Sequence, residues 1–381
     1  MENQQRDITS RDLRLDFFRG LALLIIFINH MPMNAFAAYS PSRFGLSDAA
    51  DLFVFLSGCT AALVYKKSFE RMGAWIVTIQ ILYRCGRLYI AHLQLFFLLA
   101  LACVVGNVFS AGPDYIDRLS LNYLFEHTQA AMPALLTLRY VPNFIDILPM
   151  YIAILALVPI VLLSARVHVR LALALPLTLY LMAHFMGLEL PADPQSDRAW
   201  FFNPWCWQLA FFTGFAIYAK WLPVPAPNRG LFILCAAFVL LAMPLSHKPS
   251  YLSLRWLSDM RAHLEPFADK SHYGLLRWLH LLALSYAVSY LLRDKKALLR
   301  QRLPGLINRM GQQALPMFLI ASVLSYLGGM ALDQAGNTLP GLVAVNLGGC
   351  LLLMAIADLL VRHKTKPWQQ PASVLAGSLP A

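Results

Sequence analysis

Residues 15–32 read LDFFRGLALLIIFINHMP. From Gly20 to Ile28 no side chain is polar, yet the run is bracketed by Asp16 and Arg19 on one side and His30 on the other. A helix on the surface of a soluble domain turns a polar face outward every three or four residues. This stretch has no such face for more than two turns, which is the pattern of a helix in a bilayer. The rest of the chain repeats it. Apolar stretches at 15–34, 48–65, 88–110, 144–164, 169–187, 203–220, 230–246, 274–292, 314–332 and 340–361 are rich in Leu, Ala, Ile and Phe. They predict an all-α polytopic membrane protein with about ten transmembrane helices, since the alternating pattern of a membrane barrel is absent. Composition agrees: of 381 residues, 59% are hydrophobic and only 13% charged. A soluble domain carries about a quarter charged residues. A water-soluble enzyme, a disordered chain and a nucleic-acid module are therefore disfavoured.

The formal charge of +11 needs no nucleic acid or other acidic partner, because Lys and Arg concentrate in the cytoplasmic loops of membrane proteins. Assigned to alternate sides of ten spans, with the N-terminus inside, they divide 22 against 9. The split predicts an inner-membrane protein with both termini in the cytoplasm. Residues 72–87 are apolar but interrupted by Arg84 and Arg87, and read as a membrane-surface helix leading into the third span. Long outer loops are expected at 111–143, 188–202 and 247–273. The N-terminal run carries Asp16 and Arg19 and lacks a small-residue cleavage site, so it is not read as a cleavable signal peptide. The six cysteines form no Cys-x-x-Cys pair, and no His cluster has ligand spacing, so neither a metal nor a bound cofactor is expected. Residues 1–365 read as a single membrane domain and 366–381 as a disordered tail.

Ionisable residues inside a span are costly and mark function by default. Arg19 and His30 are eleven positions apart, three turns and about 20° on a helix, hence one face and roughly 16 Å of axis. Asp16 shares that face. Following the direction of each span puts His30, Asp51, Asp146, Asn203 and His280 at one level, with Trp207 and Arg277 beside them. Arg19, Arg84, Arg87 and His92 fall at the other level. The first group suits activation of a hydroxyl by an imidazole that a carboxylate orients. The second suits a phosphorylated or carboxylated donor, which guanidinium groups bind in bidentate fashion. Ser57-Gly58 reads as a close helix-packing site. A transporter with an intramembrane proton or substrate relay is the competing reading. It lacks support from the paired, broken spans that mark an inverted repeat.

The Arg19 to His30 spacing, followed by DLFVFLSG at 51–58, resembles the membrane acyltransferases of acyltransferase family three. RLDFFRG, YVPNFIDILPMYIAIL, FFNPWCWQLAFFTG, LLRWLHLLALSYAV and GQQALPMFL are closer to the OpgC branch of that group, over about residues 11–361. The resemblance implies transfer of an acyl group, succinyl from succinyl-CoA, to hydroxyls of a periplasmic glucan or another extracytoplasmic glycan. Acyl-CoA is then a donor substrate, not a resident cofactor. Membrane lipid and glucan-synthesis proteins are the implied partners. Carried over by position, Arg19 and His30 are the pair expected to be essential, with Asp51 the acidic position of the second span. His30, Asp51 and His280 are the catalytic candidates. Arg19, Arg84, Arg87 and Asp16 are the donor-binding candidates, and Asp146, Asn203, Trp207 and Arg277 the acceptor-side ones. His30 has two open roles, general base or transient carrier of the acyl group.

Overall fold

The computed structural model describes residues 12–109 and 112–365. Arg6 and Arg11, and the tail read as disordered, lie outside the described residues. The described chain is helical, and its one strand-like pairing is the isolated bridge between Pro191 and Ala199.

Helix α1 (Leu13–His30) begins where the Asp12 carboxylate accepts the Arg14 amide at 3.0 Å, and ends just before Pro32. Two short 3₁₀ turns lead to α2 (Ala49–Ala61). Its start is a reciprocal capping box: Asp48 accepts the Ala50 amide at 2.8 Å, and Asp51 accepts the Asp48 amide at 2.7 Å. One π turn at Ala62–Lys66 joins α2 to α3 (Lys67–Phe109), which bends at Gly73, φ 82°. Past that bend nothing breaks the helix, since the stretch 74–109 contains no proline. It runs for about 54 Å against a hydrocarbon core of about 30 Å. The surface helix expected at 72–87 is therefore not separate; it is the first part of the helix that forms the third apolar stretch.

The region 111–143 holds three short helices, α4 (Tyr115–Arg118), α5 (Asn122–Glu126) and α6 (Thr128–Leu136). Then come α7 (Ile147–Val167), α8 (Val169–Met186) and α9 (Pro204–Tyr218), followed by α10 (Arg229–Ser246). The expected loop 247–273 is mostly helical, as α11 (Lys248–Ser253) and α12 (Arg255–Ala268). The chain continues through α13 (Leu275–Leu291), the amphipathic α14 (Arg302–Gln312), α15 (Ala314–Ala335) and α16 (Leu339–Thr365).

Among the described residues, six helical segments are long and apolar enough to cross a membrane: the continuous Ala49–Phe109, α7, α8, α10, α15 and α16. The expected ten apolar stretches all lie in helices, but the count of ten crossings does not follow from length and composition. Helix α1 carries Arg14, Asp16 and Arg19 within its 18 residues, and α9 and α13 have only 15 and 17 residues. The reason is position. Helix α9 is buried on every side from Cys206 to Ala216, so it faces protein where a lipid-facing helix needs its full length. Helix α10 is the converse, with almost nothing buried. Leu234 and Leu241 are 66% and 71% exposed on it, as a helix facing hydrocarbon would be.

Close crossings of the inner helices rest on glycine. A Cβ at Gly58 would strike the Phe211 carbonyl, and one at Gly214 the Phe55 carbonyl, so α2 and α9 pack backbone to backbone. This agrees with reading Ser57-Gly58 as a packing site.

Candidate active site

The end of α1, the start of α2 and the start of α7 enclose a cavity of about 370 Å³. His30 and Asn29 come from α1, Asp48 from the capping box of α2, and Asp146 and Ile147 from the start of α7. Arg43, Lys270 and the rings of Phe144 and Phe201 complete its walls. The His30 and Phe144 rings meet near perpendicular, centroids 5.7 Å apart. No hydrogen bond from a described residue occupies either ring nitrogen of His30, so the imidazole is available to a ligand.

Charge at this level is organised around two carboxylates. Arg277 donates to Asp51 twice, Nη2 to Oδ2 at 2.5 Å and Nε to Oδ1 at 3.2 Å. The same Nη2 stands 3.3 Å from Asp48 Oδ2, and Lys270 Nζ lies 2.7 Å from that same oxygen. Two cations thus balance two carboxylates, the condition under which charges survive burial. Asp51 is fully buried, and of the two carboxylates Asp48 reaches the cavity, together with Lys270.

A second, narrow cavity of about 30 Å³ lies on the other side of Ile147, which lines both. Arg19 of α1 and Arg84 of α3 face it, with Ser57, Phe53 and Tyr151. The Arg19 guanidinium carbon is 5.9 Å from the centre of the Phe53 ring. Arg19 and His30, three turns apart on α1, thus line two different cavities that share Ile147. Helices α1, α2 and α7 contribute walls to both.

The remaining expected site residues are scattered in and around these two cavities. Asp146 lines the larger cavity. His280 stands behind α2: its Nδ1 lies 2.7 Å from Ser47 Oγ and accepts the Ser47 amide at 3.3 Å. Asn203 caps α9, accepting the Trp205 amide at 3.0 Å, and its own amide groups donate to the Ser271 and Leu188 carbonyls. Trp207 is fully buried and donates to the Lys270 carbonyl at 2.9 Å, so it holds the turn that carries Lys270 and is not a membrane-interface belt residue. Asp16 is buried, with its carbonyl against Gly311 of α14. Arg87 is exposed and lines neither cavity. His92 is fully buried outside both.

Sequence reasoning missed Asp48, Lys270, Arg43 and Phe144. Asp48 had a signal, the Asp-x-x-Asp spacing of a capping box opening an apolar helix. Lys270 had none, because only folding brings the turn after α12 back onto α2. The same turn carries a strap in which His272 Nδ1 lies 2.8 Å from Asp269 and Nε2 lies 2.9 Å from Glu189. Partial burial would lower the His272 pKa, but the two carboxylates outweigh it and the pKa is raised.

With this geometry in place, comparison adds one finding: the sequence matches the OpgC protein family over residues 11–365. The chain belongs to the OpgC family. No curated protein and no solved structure is a significant match. OpgC proteins form an acyltransferase family, which supports a transferase role for this membrane chain. Both cavities and every site residue named above lie inside the matched OpgC region.

Proposed function

We propose that the chain is an inner-membrane O-acyltransferase that moves a succinyl group from succinyl-CoA to a hydroxyl of a periplasmic glucan. The observation that carries this reading is the pair of cavities meeting at Ile147, with arginines on one side and an unoccupied imidazole on the other. Ten crossings with both termini in the cytoplasm, as the division of Lys and Arg suggests, put Arg19 and Arg84 on the donor side. Their guanidinium groups suit the phosphates of CoA. His30 then faces the periplasm and meets the acceptor. The Arg43 side chain, in the same cavity and without an ion pair among the described residues, suits the free carboxylate of a succinyl group.

In the direct form of the reaction, His30 takes the proton of the glucan hydroxyl as its oxygen attacks the thioester carbonyl. The C–O bond forms, the C–S bond breaks, and the imidazolium returns its proton to the departing thiolate. In the relay form, His30 first carries the acyl group and then yields it to the hydroxyl. The acceptor-side carboxylates, Asp48 with Asp51 and Asp146, keep the surroundings of the imidazolium favourable.

The test is to mix the purified protein with acyl-labelled succinyl-CoA and glucan, and to follow label into glucan. Covalent, alkali-labile label on glucan is expected, with free CoA released in equal amount. Intact label crossing a vesicle membrane without esterification would make the protein a carrier and overturn the reading.

A further inference from the structure

Seven non-glycine residues of the described chain have a left-handed backbone, and among them Phe144, φ 68°, is the one that lines the larger cavity. For a bulky residue this conformation is a genuine outlier, held only where the surroundings over-determine it. The surroundings here do. Val141 donates its amide to the Ala192 carbonyl at 2.8 Å, Arg198 donates to the Val141 carbonyl at 3.0 Å, and Ile145 is fully buried. Burial does not reward the ring, because Phe144 is 47% exposed. A phenylalanine that the backbone disfavours and that packing does not bury is placed for something else.

The ring lines the cavity against His30, centroids 5.7 Å apart. Phe201, 44% exposed, lines the same cavity with Lys270 Nζ 5.9 Å from its centre. The same walls offer Asn29, Asn143 and Asp48, donors and acceptors with no use for a hydrocarbon chain. Aromatic faces carry the negative part of the ring quadrupole. The C–H face of a pyranose is its positive counterpart, while the hydroxyls around the sugar's rim seek amides and carboxylates.

We propose that Phe144 is a stacking platform for a pyranose ring of the acceptor, setting one of its hydroxyls at His30. This rests on the acyltransferase reading above and adds how the acceptor is held. Phe144 is a positioning residue, and its loss should weaken acceptor binding before it slows chemistry.

The discriminating substitution is Phe144→Asn, which removes the ring while suiting the left-handed backbone. With Phe144→Tyr as the conservative control, KM for glucan, KM for succinyl-CoA, kcat and the thermal midpoint are measured on purified protein. Phe144→Asn should raise KM for glucan about tenfold, the loss of about 1.4 kcal/mol. It should leave KM for succinyl-CoA unchanged and the midpoint equal to or above that of the unsubstituted protein. Phe144→Tyr should stay within about twofold of it, the change of a stacking ring kept. An unchanged glucan KM in Phe144→Asn overturns the platform; so does a lowered midpoint with both KM values raised, which would make the ring a packing element. Should the unsubstituted protein not acylate glucan, calorimetry with a glucose oligosaccharide separates the two ideas. Binding that Phe144→Asn loses keeps the platform while the reaction falls, and absence of binding to the unsubstituted protein overturns the platform.

Discussion

The larger cavity sets carboxylates among its cations, Asp48 and Asp146 against Arg43 and Lys270, whereas the smaller is lined by two arginines and no carboxylate. They differ as much in size, about 370 Å³ against about 30 Å³, although the same three helices wall both. Mixed charge around a free imidazole favours moving a proton, since either protonation state finds a partner nearby. Two guanidinium groups in a lining that has no carboxylate favour holding an anion. The same fold thus supplies two environments within a few turns of α1, and substitutions should separate them.

The sharpest separation comes from His30→Ala. Loss of a general base costs about 10²- to 10⁴-fold in rate. Acyl transfer should fall by that much while a CoA analogue still binds the purified variant with unchanged affinity. A variant that transfers normally would remove His30 from the chemistry and leave the large cavity as a binding pocket alone.

Next in size is Asp51→Ala, which leaves the buried Arg277 with only the 3.3 Å contact to Asp48. Removing one member of a buried pair costs about 3–5 kcal/mol. The thermal midpoint in detergent should drop sharply, and activity should fall with folded protein. A midpoint within a degree of the original would mean the pair is not desolvated, contrary to its burial here.

The small cavity is probed by Arg19→Lys, which keeps the charge but not the planar fork. CoA-analogue binding should weaken about tenfold, roughly 1.4 kcal/mol, with acceptor binding unaltered. Unchanged affinity would reduce Arg19 to an anchor and move donor binding to Arg84.

The smallest effect expected is the pH response of the strap outside both cavities. His272 has a raised pKa in the folded protein. Its contribution to stability is therefore complete below the unfolded value of about 6.5 and is lost as pH rises through the higher folded value. With the imidazole 42% exposed, each pair is worth less than about 1 kcal/mol after screening. Thermal midpoints of the natural protein should exceed those of His272→Gln at pH 6 and converge with them by pH 9. Parallel curves would show that the strap carries no charge-dependent stability.

How much of this could be read from the sequence follows from the range of the forces involved. Helix positions are local, written in runs such as 15–32, and every apolar stretch lies in a helix. The placing of Arg19 and His30 on one face of α1 is also local, a matter of helix periodicity. Helix continuity past 87 was not legible, because two arginines imitate a break that only proline or a turn would make. Nor could the sequence tell Asp48 from Asp51: both are acidic residues in one capping box, and which faces the cavity depends on Arg277 arriving from α13, more than two hundred residues away. Lys270 and Phe144 owe their roles to contacts across the bundle, and nothing near them in the chain announces it.

Ile147 is the one residue common to both chambers, and its side chain carries no charge and no hydrogen-bonding group. An acyltransferase of the kind proposed above must pass an acyl group across a bilayer without short-circuiting it. Under that reading the residue the two chambers share is aliphatic, with Arg19 and Arg84 on the smaller one and Arg43, Lys270, Asp48 and Asp146 on the larger. A hydronium or sodium ion meets like charge on the arginine side, whereas the larger chamber offers both signs. The ion tightness of such a transferase would then depend on an uncharged side chain at that position.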